Sequence, residues 1–238
     1  MKKSLLVFGL VILLSGSANA QIVLTPPDTT GTPWHSYYYM GTLYGSGMDP
    51  GLRVGHTYTT SYYTWYRSAL EFDISGLAGV TPANFVSASL GGLEVSGYGG
   101  YYSPVYPGDA MTVNLYDMED ITEDGSITAA DYDSVNGPAI TTLFNAIPAA
   151  DTSYDNIDVT SELSNDLFGA GVGNWSGFVL ISPDADQQWI SFEETAPTLT
   201  INLAAANVPT LTEWGTIIFA IFLAGISIRQ LRRIRKTA

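Results

Sequence analysis

Polar and apolar residues alternate in short runs along most of this chain, and each such run reads as a strand with one buried face. In residues 67–74 the apolar Leu70, Phe72 and Ile74 alternate with Ala69, Glu71 and Asp73. The same period of two recurs in 86–90, 111–115, 189–192 and 198–203. Residues 177–182, Gly-Phe-Val-Leu-Ile-Ser, are apolar through their centre and predict a strand covered on both faces. One stretch is spaced as a helix instead. With Thr160 as its N-cap, 161–168 places Leu163 and Leu167 on one face and Glu162 in the first turn. Gly, Pro and Asp clusters separate the strands. The expected fold is therefore mostly β, a single jelly-roll-like β-sandwich with one short helix.

The two ends break this pattern. Lys2 and Lys3, an apolar stretch over 5–14 and the small residues Ala18-Asn19-Ala20 have the layout of a secretory signal peptide, with cleavage expected after Ala20. At the other end, 211–228 is apolar apart from Glu213. As a helix it would be roughly 27 Å long, just enough to cross a bilayer. The basic residues that follow, Arg229, Arg232, Arg233, Arg235 and Lys236, would stay cytoplasmic. The expected organisation is a signal peptide over 1–20, an extracytoplasmic domain over 21–207, and a tail over 208–238 that meets the lipid bilayer.

Charge is divided as sharply as hydropathy. Residues 21–207 hold twenty-two of the acidic residues and only Arg53 and Arg67 among the basic ones, a formal charge of −20. Such a surface repels phosphate backbones, which excludes nucleic acid as a partner. The chain has no cysteine, so disulfides, thiolate metal sites and lipoprotein anchoring are excluded as well.

The sharpest local motif lies in the acidic part. Counted as a twelve-residue calcium loop, 120–131 places Asp120, Thr122 and Asp124 at positions one, three and five. Gly125 falls at the sharp turn of position six. Ser126 offers its carbonyl at seven, Thr128 stands at nine and Asp131 closes the loop at twelve. A hard cation needs several oxygens converging from a short loop, and calcium is the expected cofactor. Thr122 stands where Asp or Asn is usual, and Glu123 adds a charge; a β-turn at Asp124-Gly125 is the competing reading. A second window, 151–162, fits less well, because Asn156 replaces the glycine and Asp158 the apolar residue.

Twelve of the fifteen tyrosines fall between Tyr37 and Tyr106, with Trp34 and Trp65 among them. Exposed rings stack on sugar faces, which makes polysaccharide an expected partner; the same rings also suit cross-strand packing. Catalytic motifs are missing: there is no Gly-x-Ser-x-Gly, no His-Glu-x-x-His and no phosphate loop, and His35 and His56 stand without a partner motif.

Val208-Pro209-Thr210-Leu211-Thr212-Glu213-Trp214-Gly215, the apolar segment and the arginine cluster together resemble the IPTL-CTERM sorting tail of bacterial surface proteins. That family's pattern reads Ile-Pro-Thr-Leu-Ser-Glu-Trp, so Val208 and Thr212 depart from it conservatively. The resemblance implies recognition by a membrane-embedded, exosortase-like sorting enzyme in a Gram-negative envelope. Cleavage near the motif and delivery to the cell surface or extracellular matrix would follow. The body resembles the DNRLRE family of extracellular β-sandwich domains, similar to carbohydrate-binding modules. The matching pieces are 52–55, 67–73, 87–90, 158–160, 177–180, 189–192 and 196–199. It departs from that family by an acidic stretch at 117–158 and a Tyr-rich stretch before Arg67. The function expected from all of this is a non-enzymatic surface or matrix component that binds carbohydrate. A glycan-active hydrolase using a carboxylate pair, or a purely structural calcium-stabilised protein, are the alternatives.

Overall fold

The computed structural model describes residues 20–204 apart from 27–30, 39–42, 59–60, 101–103, 120–121, 170–172, 185–186 and 194–196. Outside that range it describes Gly215, Ile218, Phe219 and Ile221, all helical and exposed. Residues 20–204 make up one compact unit, and the two ends of the chain belong to a second. No helix among the described residues is long and apolar enough to cross a membrane. Apart from those four residues, the expected span over 211–228, the sorting motif, the basic cluster and Ala18 lie outside the described residues.

The fold is mostly β. In chain order the strands are β1 (Ala20–Leu24), β2 (Gly31–Tyr38), β3 (Leu43–Pro50), β4 (Leu52–Tyr58), β5 (Tyr62–Tyr66), β6 (Ser68–Asp73), β7 (Phe85–Gly91) and β8 (Leu93–Gly100). They continue with β9 (Ala110–Asp117), β10 (Asn136–Ala146), β11 (Ser153–Tyr154), β12 (Ile157–Asp158), β13 (Trp175–Ile181), β14 (Gln188–Phe192) and β15 (Thr198–Leu203). The one α-helix, α1, spans Thr160–Phe168. A four-stranded sheet runs β1-β15-β7-β12, and a larger one runs β10-β9-β13-β6-β2-β5-β4-β14-β8-β11, with β3 attached to β2. The pairings are antiparallel throughout; β1 lies on β15 in a register that sets Ala20 opposite Leu203 and Leu24 opposite Leu199.

The two sheets enclose one core. Ala88, Leu90, Leu199 and Ile201 from the small sheet meet Leu52, Val54, Leu70, Phe72, Phe178 and Ile190 from the large one. The alternating runs contribute apolar positions here, although Val86, at the start of the 86–90 run, is exposed. Phe72 and Phe178 are completely buried and meet edge to face with ring centroids 6.2 Å apart, each ring adding about 1.5–3 kcal/mol of burial. The helix forms where its spacing predicts and buries Leu163. Its N-cap position is Val159, however, and the Asp158 carboxylate accepts the Thr160 N–H at 3.0 Å. Thr160 turns its own hydroxyl toward Asp158 and the carbonyl of Ala88.

One strand differs from its sequence pattern. The alternation in β6 predicts one buried face, yet Ala69 and Glu71 are as inaccessible as Leu70 and Phe72. The reason is the segment between β9 and β10. It lies across the outer face of β6 and β13, where Met118 packs with Ala69 and Val179 and Ile127 closes over them.

Three tryptophans rest on glycines. Trp34 lies opposite Gly47 and Trp189 opposite Gly99, and a Cβ on either glycine would come 2.6 Å from the indole. The third pair, Trp175 over Gly125, joins β13 to the acidic segment, with 2.3 Å left for a Cβ. Gly125 also has φ +84°, a left-handed conformation that a side chain would strain.

Candidate functional site

The acidic segment leaves β9 after Asp117 and is pinned to β13 and β6 by its own polar groups. Met118 N–H donates to the Gly177 carbonyl at 3.1 Å. Gly177 N–H donates to Glu123 Oε1 at 2.6 Å, and Asp124 N–H donates to Glu71 Oε1 at 3.0 Å. Gly177 is a glycine for a spatial reason: a Cβ there would come 2.9 Å from Met118 and 3.0 Å from the Glu123 carboxylate.

The residues of the twelve-residue loop are placed as follows. Asp120 lies outside the described residues. Thr122 donates its hydroxyl to the Glu119 carbonyl at 2.7 Å and also contacts the Ser134 hydroxyl. Asp124 is exposed and accepts the Ser126 N–H at 2.9 Å. Gly125 makes the sharp turn under Trp175. Ser126 and Thr128 are exposed, and the Thr128 N–H donates to Asp131 Oδ2 at 2.5 Å. Asp131 itself is 4% exposed, within the 3-10 turn Ala129–Asp133. The carboxylates of Asp124 and Asp131 thus hold the loop's own amides.

A different set converges. Among the described residues, the three carboxylates whose oxygens lie within 4.8 Å of one another are those of Asp117, Glu123 and Asp166. Asp117 ends β9 at 8% exposure and accepts from the Asn136 side-chain amide at 3.2 Å. Asp166 comes from the inner face of α1, 5% exposed, and accepts the Ser176 hydroxyl at 2.5 Å. Glu123 brings a buried carboxylate, although the residue as a whole is half-buried. Carboxylates this close repel one another when ionised, and a shared proton or a cation relieves that repulsion. Residues 21–207 hold two arginines and no lysine. Arg53 sits 3.5 Å from Asp49 and lies over the rings of Tyr66 and Trp189, while Arg67 is engaged with Asp133 and Tyr132. Beside the cluster, a cavity of about 530 Å³ lined by Asp117, Asn136, Asp158, Glu162 and Asn165 opens toward solvent.

Sequence spacing pointed past this cluster, because its members come from a strand end, a loop and a helix. The one signal was Asp166, an acid set between Leu163 and Leu167 on the apolar face of α1.

Glu71 is a second acid the alternation hid. It is 1% exposed, Oε1 takes the Asp124 amide, and Oε2 has no hydrogen-bond partner. Burial, reinforced by the nearby Asp124 and then Asp131 carboxylates, pushes its pKa up to about 7 against the opposing pull of the Asp124 and Gly125 amides. Burial likewise raises Asp131.

The aromatic residues form a groove of about 550 Å³, lined by Trp65, Tyr66, Tyr116 and Tyr132 together with Arg67 and Asp133. Trp65 reaches it from β5, stacked on His56 at 4.2 Å between ring centroids. His56 is buried, stacks on Tyr63 as well and accepts the Gln187 N–H at Nδ1, which makes it a packing residue of the sheet. The side chain of His35 lies outside the described residues. Compared with known proteins, the chain matches no family model and no curated sequence.

Proposed function

We propose that this is an exported bacterial surface or matrix protein, a jelly-roll-like β-sandwich that binds carbohydrate through the groove at Trp65. The observation that carries the reading is the groove itself, whose lining brings Trp65, Tyr116 and Tyr132 together with a paired Arg67 and Asp133. Aromatic faces bury the C–H faces of sugars, and an ion pair beside them offers both donors and acceptors to hydroxyls. Binding without hydrolysis fits the groove better than catalysis, since Asp133 is the one lining carboxylate among the described residues and glycoside hydrolysis uses a pair. On a polysaccharide array the purified protein is expected to retain particular glycans and to release no reducing ends. Released reducing ends would overturn the non-enzymatic reading, and an array without any binding would overturn the glycan reading.

Delivery through a signal peptide and an IPTL-CTERM-like tail belongs to the same proposal and rests on the sequence of the two ends. Surface display should disappear in a host strain lacking the sorting enzyme. Unchanged display there would leave the tail only as a membrane anchor.

A second reading is supported by a separate observation: among the described residues, oxygens of three buried carboxylates converge within 4.8 Å of one another. Asp117, Glu123 and Asp166 would hold a divalent cation with the carboxylate oxygens that hard ions prefer. Such an ion would tie β9, the acidic segment and α1 together, so its contribution would be to folding. Calcium is the ion this chemistry and the acidic export domain favour.

A further inference from the structure

We propose that the groove at Trp65 selects neutral glycans and rejects uronic-acid and sulfated ones, an inference that rests on the glycan-binding reading above. The selectivity follows from how the groove's only cation is used. Arg67 is 24% exposed by its side chain, and one of its nitrogens donates both to the Tyr132 carbonyl at 2.5 Å and to Asp133 Oδ1 at 3.3 Å. Its guanidinium also lies 4.1 Å from the centre of the Tyr132 ring. One prong of the planar fork that would grip a sugar carboxylate or sulfate in two-point fashion is thus already directed at the protein's own oxygens, and Asp133 offsets its charge.

Charge counting gives the same answer on two scales. Within the lining, Arg67 and Asp133 are the charged members and cancel. Around it, the body carries its formal charge of −20, so an anionic chain approaches against a repulsive field that nothing local reverses. A neutral sugar escapes both penalties. It loses no strongly hydrated charge and keeps the aromatic contact, with hydroxyls free to bond to the outward edges of the Arg67–Asp133 pair. Cationic glycans are drawn to the surface as a whole, which produces attachment that salt removes and that does not depend on Trp65.

The test uses the intact protein and follows tryptophan fluorescence and calorimetry with three probe sets at low and high salt. They are neutral gluco-, manno- and xylo-oligosaccharides, oligouronates, and chitosan oligosaccharides. Neutral probes are expected to bind with an affinity that salt leaves unchanged, and Trp65→Ala should weaken them about tenfold, the equivalent of one lost ring contact. Asp133→Ala, which frees Arg67, should admit oligouronates while neutral probes still bind. Preferential binding of oligouronates by the native protein would overturn the neutral assignment and leave the glycan reading standing. So would continued exclusion of oligouronates by Asp133→Ala, since the engaged Arg67 would then not be the selecting group. Binding of chitosan alone, abolished by salt, would overturn the groove as a specific site, and silence from every probe in a folded protein would overturn both proposals. Circular dichroism of each variant separates a lost contact from a lost fold.

Discussion

Calcium at about a hundredfold excess over its dissociation constant is expected to stabilise this protein by about 2.7 kcal/mol, because it binds only the folded arrangement of its ligands. In a domain of this size that corresponds to a rise in melting temperature of roughly 5–10 °C. Two double variants locate the effect. Asp117→Asn with Asp166→Asn should abolish the calcium increment, and it should raise the melting temperature without metal, since it relieves the repulsion among three close carboxylates. Asp124→Asn with Asp131→Asn should leave the increment in place, because those side chains are held by the amides of Ser126 and Thr128. The reverse outcome would return the ion to the twelve-residue loop. A wild-type melt indifferent to calcium and to chelator would remove the cation from both places.

Glu71 should make the protein less stable as the solution becomes alkaline. Its carboxyl titrates near 4.5 when freely hydrated and near 7 in the fold, raised first by burial and then by Asp124. The folded state therefore holds the proton more tightly than the unfolded chain does. The stability this provides is full below about 4.5 and is lost as pH climbs through about 7. Glu71→Gln keeps the shape and the acceptor for Asp124 N–H but has no proton to lose. Its melting temperature should exceed that of the wild type by several degrees above pH 7 and match it under mildly acidic conditions. An identical pH profile in the two proteins would show that Glu71 is not the titrating group. The two effects are separable, because calcium should act on the carboxylates around Gly177 whether or not residue 71 can ionise.

How far these sites could be seen in the sequence depends on how many elements build them. Strands β6, β7, β9, β14 and β15 were legible because a core between two sheets imposes a period of two on each strand separately, and β13 was legible from its continuous apolar run. Helix α1 was legible from the same kind of local evidence. Strands β2, β3 and β5 were not, since Gly, Ser, Thr and aromatic residues give little apolar contrast along them, and in β4 only Leu52 and Val54 carry it. β10 was hidden in a similar way, within the acidic stretch and with Pro138 inside it. The groove was half visible: the tyrosine-rich region was conspicuous, but Tyr116 and Tyr132 reach Trp65 from distant strands and turns. The carboxylate cluster shows the limit most plainly. Glu123 counted against a regular calcium loop when read locally, yet in three dimensions it is the residue that links Asp117 to Asp166. Glu71 looked like an ordinary outward-facing strand acid, and only the segment folded over it makes it unusual.

The pairing of Gln21, the first residue after the expected cleavage, with Asn202 has a mechanical consequence. Because β1 and β15 run antiparallel with those residues opposite one another, the chain enters and leaves the sandwich at neighbouring points. Tension applied between the two ends would open that pair like a zipper, one rung after another, instead of shearing all its bonds together. A load carried by the C-terminal end alone enters β15 at Leu203 and is shared between its two neighbours, β1 and β7.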